Sequence, residues 1–191
     1  MSRRACNGDS MTPSLLRHAA AATLALLSAQ SFVRSAAAGP QYVDGSGFAV
    51  SGFDVVAYFD KTQTPVGQAQ PAPTPGKASI TAEHNGAVFA FASEANRARF
   101  LADPARYAPQ YDGHCAFGVA KGGKVPGDPQ LWRIVDGKLY LNLQRSVAEM
   151  WEADVPGHLR DSEANWPGID PKPASERPVP ELAAGLAPLT N

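Results

Sequence analysis

The chain has 191 residues with 17 basic and 18 acidic side chains, a formal charge of −1, 44% hydrophobic residues and two cysteines. That length supports one domain with appendages. The near-neutral charge removes any general electrostatic case for nucleic acid or anionic lipid, and two cysteines exclude both a disulfide framework and a four-thiolate zinc site.

The first segment reads as an export signal. Arg3, Arg4 and Arg17 precede the apolar run Ala19 to Ala29, and Ser35-Ala36-Ala37-Ala38 supplies small residues around a cleavage point. A charged start, a short apolar run and an A-x-A site are the three parts of a secretory signal. The apolar stretch between Arg17 and Arg34 is short for a bilayer-spanning helix. Met11 is an alternative start, because Thr12 to Ala38 already holds a complete signal. Cleavage after Ala38 leaves 13 basic and 17 acidic residues, a net charge of −4, with no membrane span and a periplasmic or secreted location. Cys6 departs with the signal, so Cys115 stands alone in an oxidising compartment.

Residues 39–49 form a lead-in to the body. Phe53 to Phe59 is rich in β-branched and aromatic residues and predicts a buried strand. Pro65, Pro71, Pro73 and Pro75 make the segment from Asp60 to Lys77 an extended surface loop. Ser79 to Glu83 and Ala87 to Ala92 flank Asn85-Gly86, the strongest short hairpin signal. Ser93 caps a predicted helix through Leu101, which Pro104 stops. A second hairpin joins Leu131–Val135 to Lys138–Leu143 across Asp136-Gly137. Ser146 to Glu149 reads as a capping box opening a helix with Val147, Met150 and Trp151 on one face. Pro156-Gly157 interrupts it before a further helical stretch to Asn165. Residues 168–191 are Pro-rich and predict a disordered tail. Two hairpins and helices not interleaved as βαβ units predict an α+β domain, a small antiparallel sheet with short helices packed on it. No internal repeat is evident at this level.

The residues from about Val50 to Trp166 resemble the YHS-domain family in its exported single-domain branch. The pieces are Gly52 to Phe59, Asn85 to Ser93, Arg99 to Pro104, Tyr107 to Tyr111, Gly113 to Ala116, Gly127 to Pro129, Val135 to Asn142, and Asn165 to Pro167. The resemblance implies an α+β module over residues 50–167. Metal-associated members carry cysteine at the equivalent of Ala92, and this chain has none from Ala92 to Asn96, so that thiolate site does not carry over. The exported branch includes selenoproteins with selenocysteine where Cys115 stands, which implies redox or soft-metal chemistry there, copper being one such metal.

On the residues themselves, Asp112 is a candidate cap of a short helix ended by Gly122, with Cys115 in its first turn. Unpaired backbone N–H groups there favour a thiolate, and His114 is the neighbouring candidate ligand. The opposing reading makes Cys115 a small buried residue, as free cysteine often is. His84 is expected in solvent beside its turn, His158 at the surface or in packing, and Asp54 as a turn or cap partner rather than a site acid. With no nucleophile–base set in view, enzyme status leans negative. The first expectation is a soft-metal-binding or thiol-redox accessory protein acting through Cys115, with a small molecule, a metal or a periplasmic protein as partner. The alternative is a non-catalytic binding module, with its aromatic residues and the Pro65–Pro75 loop lining a groove and Cys115 structural.

Overall fold

The computed structural model describes residues 39–179; the expected signal over 1–38 and the last part of the expected tail lie outside them. Two antiparallel hairpins are the framework. Strands β1 (Lys77–His84) and β2 (Ala87–Phe91) turn at Asn85-Gly86, and β3 (Asp128–Val135) and β4 (Lys138–Asn142) turn at Asp136-Gly137. Both residues of each turn have positive φ, 47° and 72° in the first and 49° and 72° in the second, as a type I′ turn requires. The hairpins remain separate two-stranded sheets. With five α-helices among the described residues, the domain is α+β as the sequence predicts.

Helix α1 (Glu94–Ala102) starts at Ser93, whose hydroxyl accepts from Asn96 N at 3.2 Å. Asp103 ends it and at once caps α2 (Pro104–Tyr107). After the short α3 (Ala116–Ala120) and the second hairpin come α4 (Arg145–Glu152) and α5 (Val155–Ile169), the latter capped by Asp154. No helix among the described residues is long and apolar enough to cross a membrane.

Five local expectations give way. Residues 53–59 form no strand. Asp54 Oδ1 accepts from the amides of Val56 (2.9 Å) and Ala57 (3.3 Å), folding the chain into a turn and a 3₁₀ segment over Ala57–Asp60. A side chain bonding its own following amides overrides the β propensity of the run. The capping box does not form: Gln144 is the residue before α4, and Ser146 lies inside the helix. Met150 points outward at 48% exposure, while Trp151 is fully buried. Asn165 does not end the last helix, which continues to Ile169. Residues 170–179, placed by the sequence in a disordered tail, are bound to the body through Lys124, His114 and Tyr42. The lead-in belongs to the fold as well, since Tyr42 N donates to Asp112 O at 2.8 Å and Tyr42 is buried.

The structure also overturns the absence of a repeat. Lys77 and Asp128, His84 and Val135, Ala87 and Lys138, Phe91 and Asn142, and Asp103 and Asp154 each lie 51 positions apart in matching places. Both hairpins break register at the same place near their open ends, between Lys77 and Thr81 and between Asp128 and Trp132. Phe100 and Trp151 fill the same position of α1 and α4, both fully buried. Upstream, Val50-Ser51-Gly52 and Tyr111-Asp112-Gly113 are two runs of three residues with positive φ. Each run delivers the same bonds: Gly76 N to Gly52 O (2.9 Å) and Gly127 N to Gly113 O (3.1 Å). A Cβ on Gly76 would lie 2.6 Å from Ala90 C, and one on Gly127 2.6 Å from Leu141 Cβ. Backbone approach that close admits only glycine. Residues 50–107 and 111–158 are thus two copies of one structural unit in tandem.

The spacing is 61 at the turns and 51 from the Pro-Gly pairs onward, so the first repeat has a link ten residues longer. That extra length is an arm laid across the second repeat. Gln63 bonds both the N (2.7 Å) and O (3.1 Å) of Ile134, Thr64 O accepts from Arg133 Nη1 at 2.7 Å, and Gly67 N donates to Glu152 Oε2 at 2.8 Å. Trp132 Nε1 donates to Pro71 O at 3.0 Å. Arg133 and Glu152, a close ion pair with side chains 10% and 11% exposed, hold the arm from beneath. Their counterparts in the first repeat are Ala82 and Leu101, so this clasp belongs to the second repeat alone.

Candidate functional site

Cys115 takes in the second repeat the place Asp54 takes in the first. Asp54 N bonds Thr74 O and Cys115 N bonds Val125 O, each at 2.9 Å. The Asp54 carboxylate, fully buried, accepts from Val56 N, Ala57 N, Ala92 N (2.8 Å) and Asn96 Nδ2 (2.7 Å). The corresponding amides of Phe117, Gly118 and Leu143 are directed at the Cys115 sulfur. Gly118 N lies 3.3 Å from Sγ, and Sγ in turn faces Asn142 Oδ1 at 3.5 Å. Asn142 Oδ1 also accepts from Phe117 N at 3.2 Å, supplying oxygen that the smaller thiol lacks. Cys115, not Asp112, is the cap of α3, and Gly122 ends that helix as expected, at φ 81°. Asp54 has the structural role the sequence assigns it.

The thiol is 1% exposed. Burial pushes its pKa up, and the three amides only partly offset that shift. The sulfur is therefore held as a neutral thiol in a dry cap.

His114 is fully buried and turns away to other partners. Its Nδ1 lies 2.9 Å from Tyr111 O and its Nε2 accepts from Ser175 N at 3.1 Å. Those two contacts assign the proton to Nδ1 and leave neither nitrogen open. Burial lowers its pKa to about 4. The other histidines are apart from it and from each other. His84, expected in solvent, is half-buried with its ring 5.7 Å from Phe100, and His158 packs on Phe117 with Nδ1 3.1 Å from Trp151 O. Among the described residues no three His, Cys, Asp or Glu side chains are placed to share a metal ion.

Asp112 lies beside His114. Burial and the neighbouring Asp170 raise its carboxyl to about 6, against the pull of Lys124. The two shifts act oppositely on stability. The native state binds fewer protons at His114 than the unfolded chain between pH 4 and 6.5, so stability falls as pH drops through that window. At Asp112 it binds more between 3.8 and 6, so stability falls as pH rises through that window. His114→Gln removes only the first effect. The stability advantage of the parent over this variant, from urea unfolding, is expected to shrink steadily from pH 6.5 to 4; a difference independent of pH contradicts this assignment.

Two hollows adjoin these elements. A slot of about 20 Å³ under the arm, between Gln68, Gln130, Arg133 and Asn142, is the size of one water. A roomier one of about 150 Å³ lies between Tyr42–Gly45 and Glu176–Pro178. The sequence signals missed were three pairs at a spacing of 51: Pro75-Gly76 with Pro126-Gly127, Asn85-Gly86 with Asp136-Gly137, and Ala102-Asp103 with Ala153-Asp154. Compared with protein-family models, curated proteins and solved structures, the chain matches none.

Proposed function

We propose that this is an exported YHS-like protein that works as a non-catalytic binding module for a small ligand or partner protein, with Cys115 as a buried capping residue. The observation that carries the reading is the equivalence of Cys115 and Asp54: one hydrogen-bonding position, filled by a carboxylate in one repeat and a thiol in the other. A redox or soft-metal role for Cys115 asks for a thiolate that reaches solvent. Burial raises the thiol pKa, and the one adjacent imidazole has both nitrogens engaged. The geometry gives that role no support.

Copper(I) titration under reducing conditions tests the reading. The parent chain and Cys115→Ser are expected to take up copper alike, without a tight stoichiometric site, and the variant to lose about 1 kcal/mol of stability, because a hydroxyl still accepts the amides. One equivalent bound tightly by the parent and lost in Cys115→Ser overturns it.

A further inference from the structure

Residues 170–179 form a strap that the body holds mainly by its backbone, besides the Asp170 carboxylate, which accepts from Gly39 N, and the buried Val179. Lys124 Nζ donates to the carbonyls of Asp170 (3.0 Å) and Lys172 (2.8 Å). Ser175 N–H donates to His114 Nε2, and Tyr42 OH donates to Arg177 O at 2.8 Å. Apart from buried Val179, the side chains from 171 to 179 are exposed or half-exposed. Pro171, Pro173 and Pro178 bias this stretch toward an extended chain, and no helix or strand forms from 173 to 179. Tyr42 and His114 meet edge to face, ring centroids 5.7 Å apart, beneath it.

Aromatic rings combined with donors aimed at the carbonyls of a proline-bearing extended chain are the physical basis of proline-rich peptide recognition: the ligand is preordered and its backbone is read. The 150 Å³ hollow beside Glu176–Pro178 adds room that the strap leaves unfilled.

We propose that the face formed by Tyr42, His114 and Lys124 is a docking groove for an extended, proline-containing segment of a partner protein, and that the chain's own strap occupies it in cis. The inference rests on the binding-module reading and gives that module its ligand class. Because the strap is tethered, it competes at an effective concentration in the millimolar range. A partner segment docks when it binds more tightly than the strap or when the strap is loosened.

The test uses the full chain and a labelled synthetic peptide with the sequence of residues 170–179. Ser175→Pro removes the N–H that His114 accepts; Pro173→Gly with Pro178→Gly loosens the strap without altering the groove and serves if the first variant is poorly folded. The peptide is expected to bind both variants at least about ten-fold more tightly than the parent, shifting the Tyr42 and His114 ring signals. Adding Tyr42→Phe is expected to weaken it about five-fold, the loss of one hydrogen bond. Equal affinity for parent and loosened chains, no effect of Tyr42→Phe, or equal binding of a Gly/Ser peptide of the same length each overturns the inference. None of these outcomes alters the copper result, so the two ideas fail separately.

Discussion

Asp54→Ala is expected to destabilise the domain by about 3–5 kcal/mol, a large share of the 5–15 kcal/mol that holds a domain folded. The carboxylate is fully buried and serves four N–H donors. These donors belong to three places: its own turn, the end of β2 at Ala92, and the first turn of α1 at Asn96. Removing it takes the shared acceptor from all four, the buried Val56 N among them, while Ala57 N keeps its bond to Asp54 O at 3.2 Å. Asp54→Asn separates charge from geometry: Oδ1 still serves Val56 and Ala57, but an amide NH₂ then faces the donors at Ala92 and Asn96. A loss of about 2–3 kcal/mol is expected for Asn, smaller than for Ala. Urea unfolding with m-values checks both, and a loss under 1 kcal/mol for Asp54→Ala contradicts the assignment.

The second large effect lies at the clasp. Glu152→Ala is expected to cost about 3–5 kcal/mol, because it strands the Arg133 guanidinium in a buried position and frees Gly67 N. The first repeat supplies the control, since Ala82 and Leu101 occupy the same positions there. Arg133→Leu combined with Glu152→Leu removes both charges and is expected to recover most of the stability lost by Glu152→Ala. The arm is expected to loosen in both cases: at Gly67 in the single variant, and further in the double variant, which also loses the Arg133 bond to Thr64 O. Limited proteolysis reads this as new cleavage between residues 61 and 71, while stability distinguishes the single from the double variant. Arm cleavage unchanged in both variants refutes the clasp.

Much of this framework was legible in the chain itself. Asn85-Gly86 and Asp136-Gly137 placed both hairpins, because only a primed turn suits those residues between two apolar runs. Ser93 and Pro104 bounded α1 for reasons equally local. The failures arose where a side chain took over work that backbone propensity assigns elsewhere. Phe53 to Phe59 has the composition of a strand, yet one carboxylate bonding its own following amides bends it. The strap is proline-rich and looked unattached, since nothing local signals that Lys124, His114 and Tyr42 would receive its backbone.

The duplication was hidden for another reason. Its surviving identities are turn and cap residues common in any sequence, while the core positions changed type, Phe100 to Trp151 and Phe91 to Asn142. The candidate site was misjudged in consequence. Cys115 stood out as an unpaired thiol, and its counterpart Asp54 stood out as a buried acid, but only the shared hydrogen bonds show that they hold one position in two copies.

The measurement that bears most directly on the place of Cys115 is a thiol titration of the native chain carrying Cys6→Ser, with a small aromatic disulfide at pH 8, repeated in denaturant. The sulfur is 1% exposed and its pKa is raised by burial. The account predicts that Cys115 fails to react in the folded chain and reacts fully once it unfolds, at a rate that tracks unfolding. Rapid reaction of one thiol per folded chain at Cys115 would contradict it.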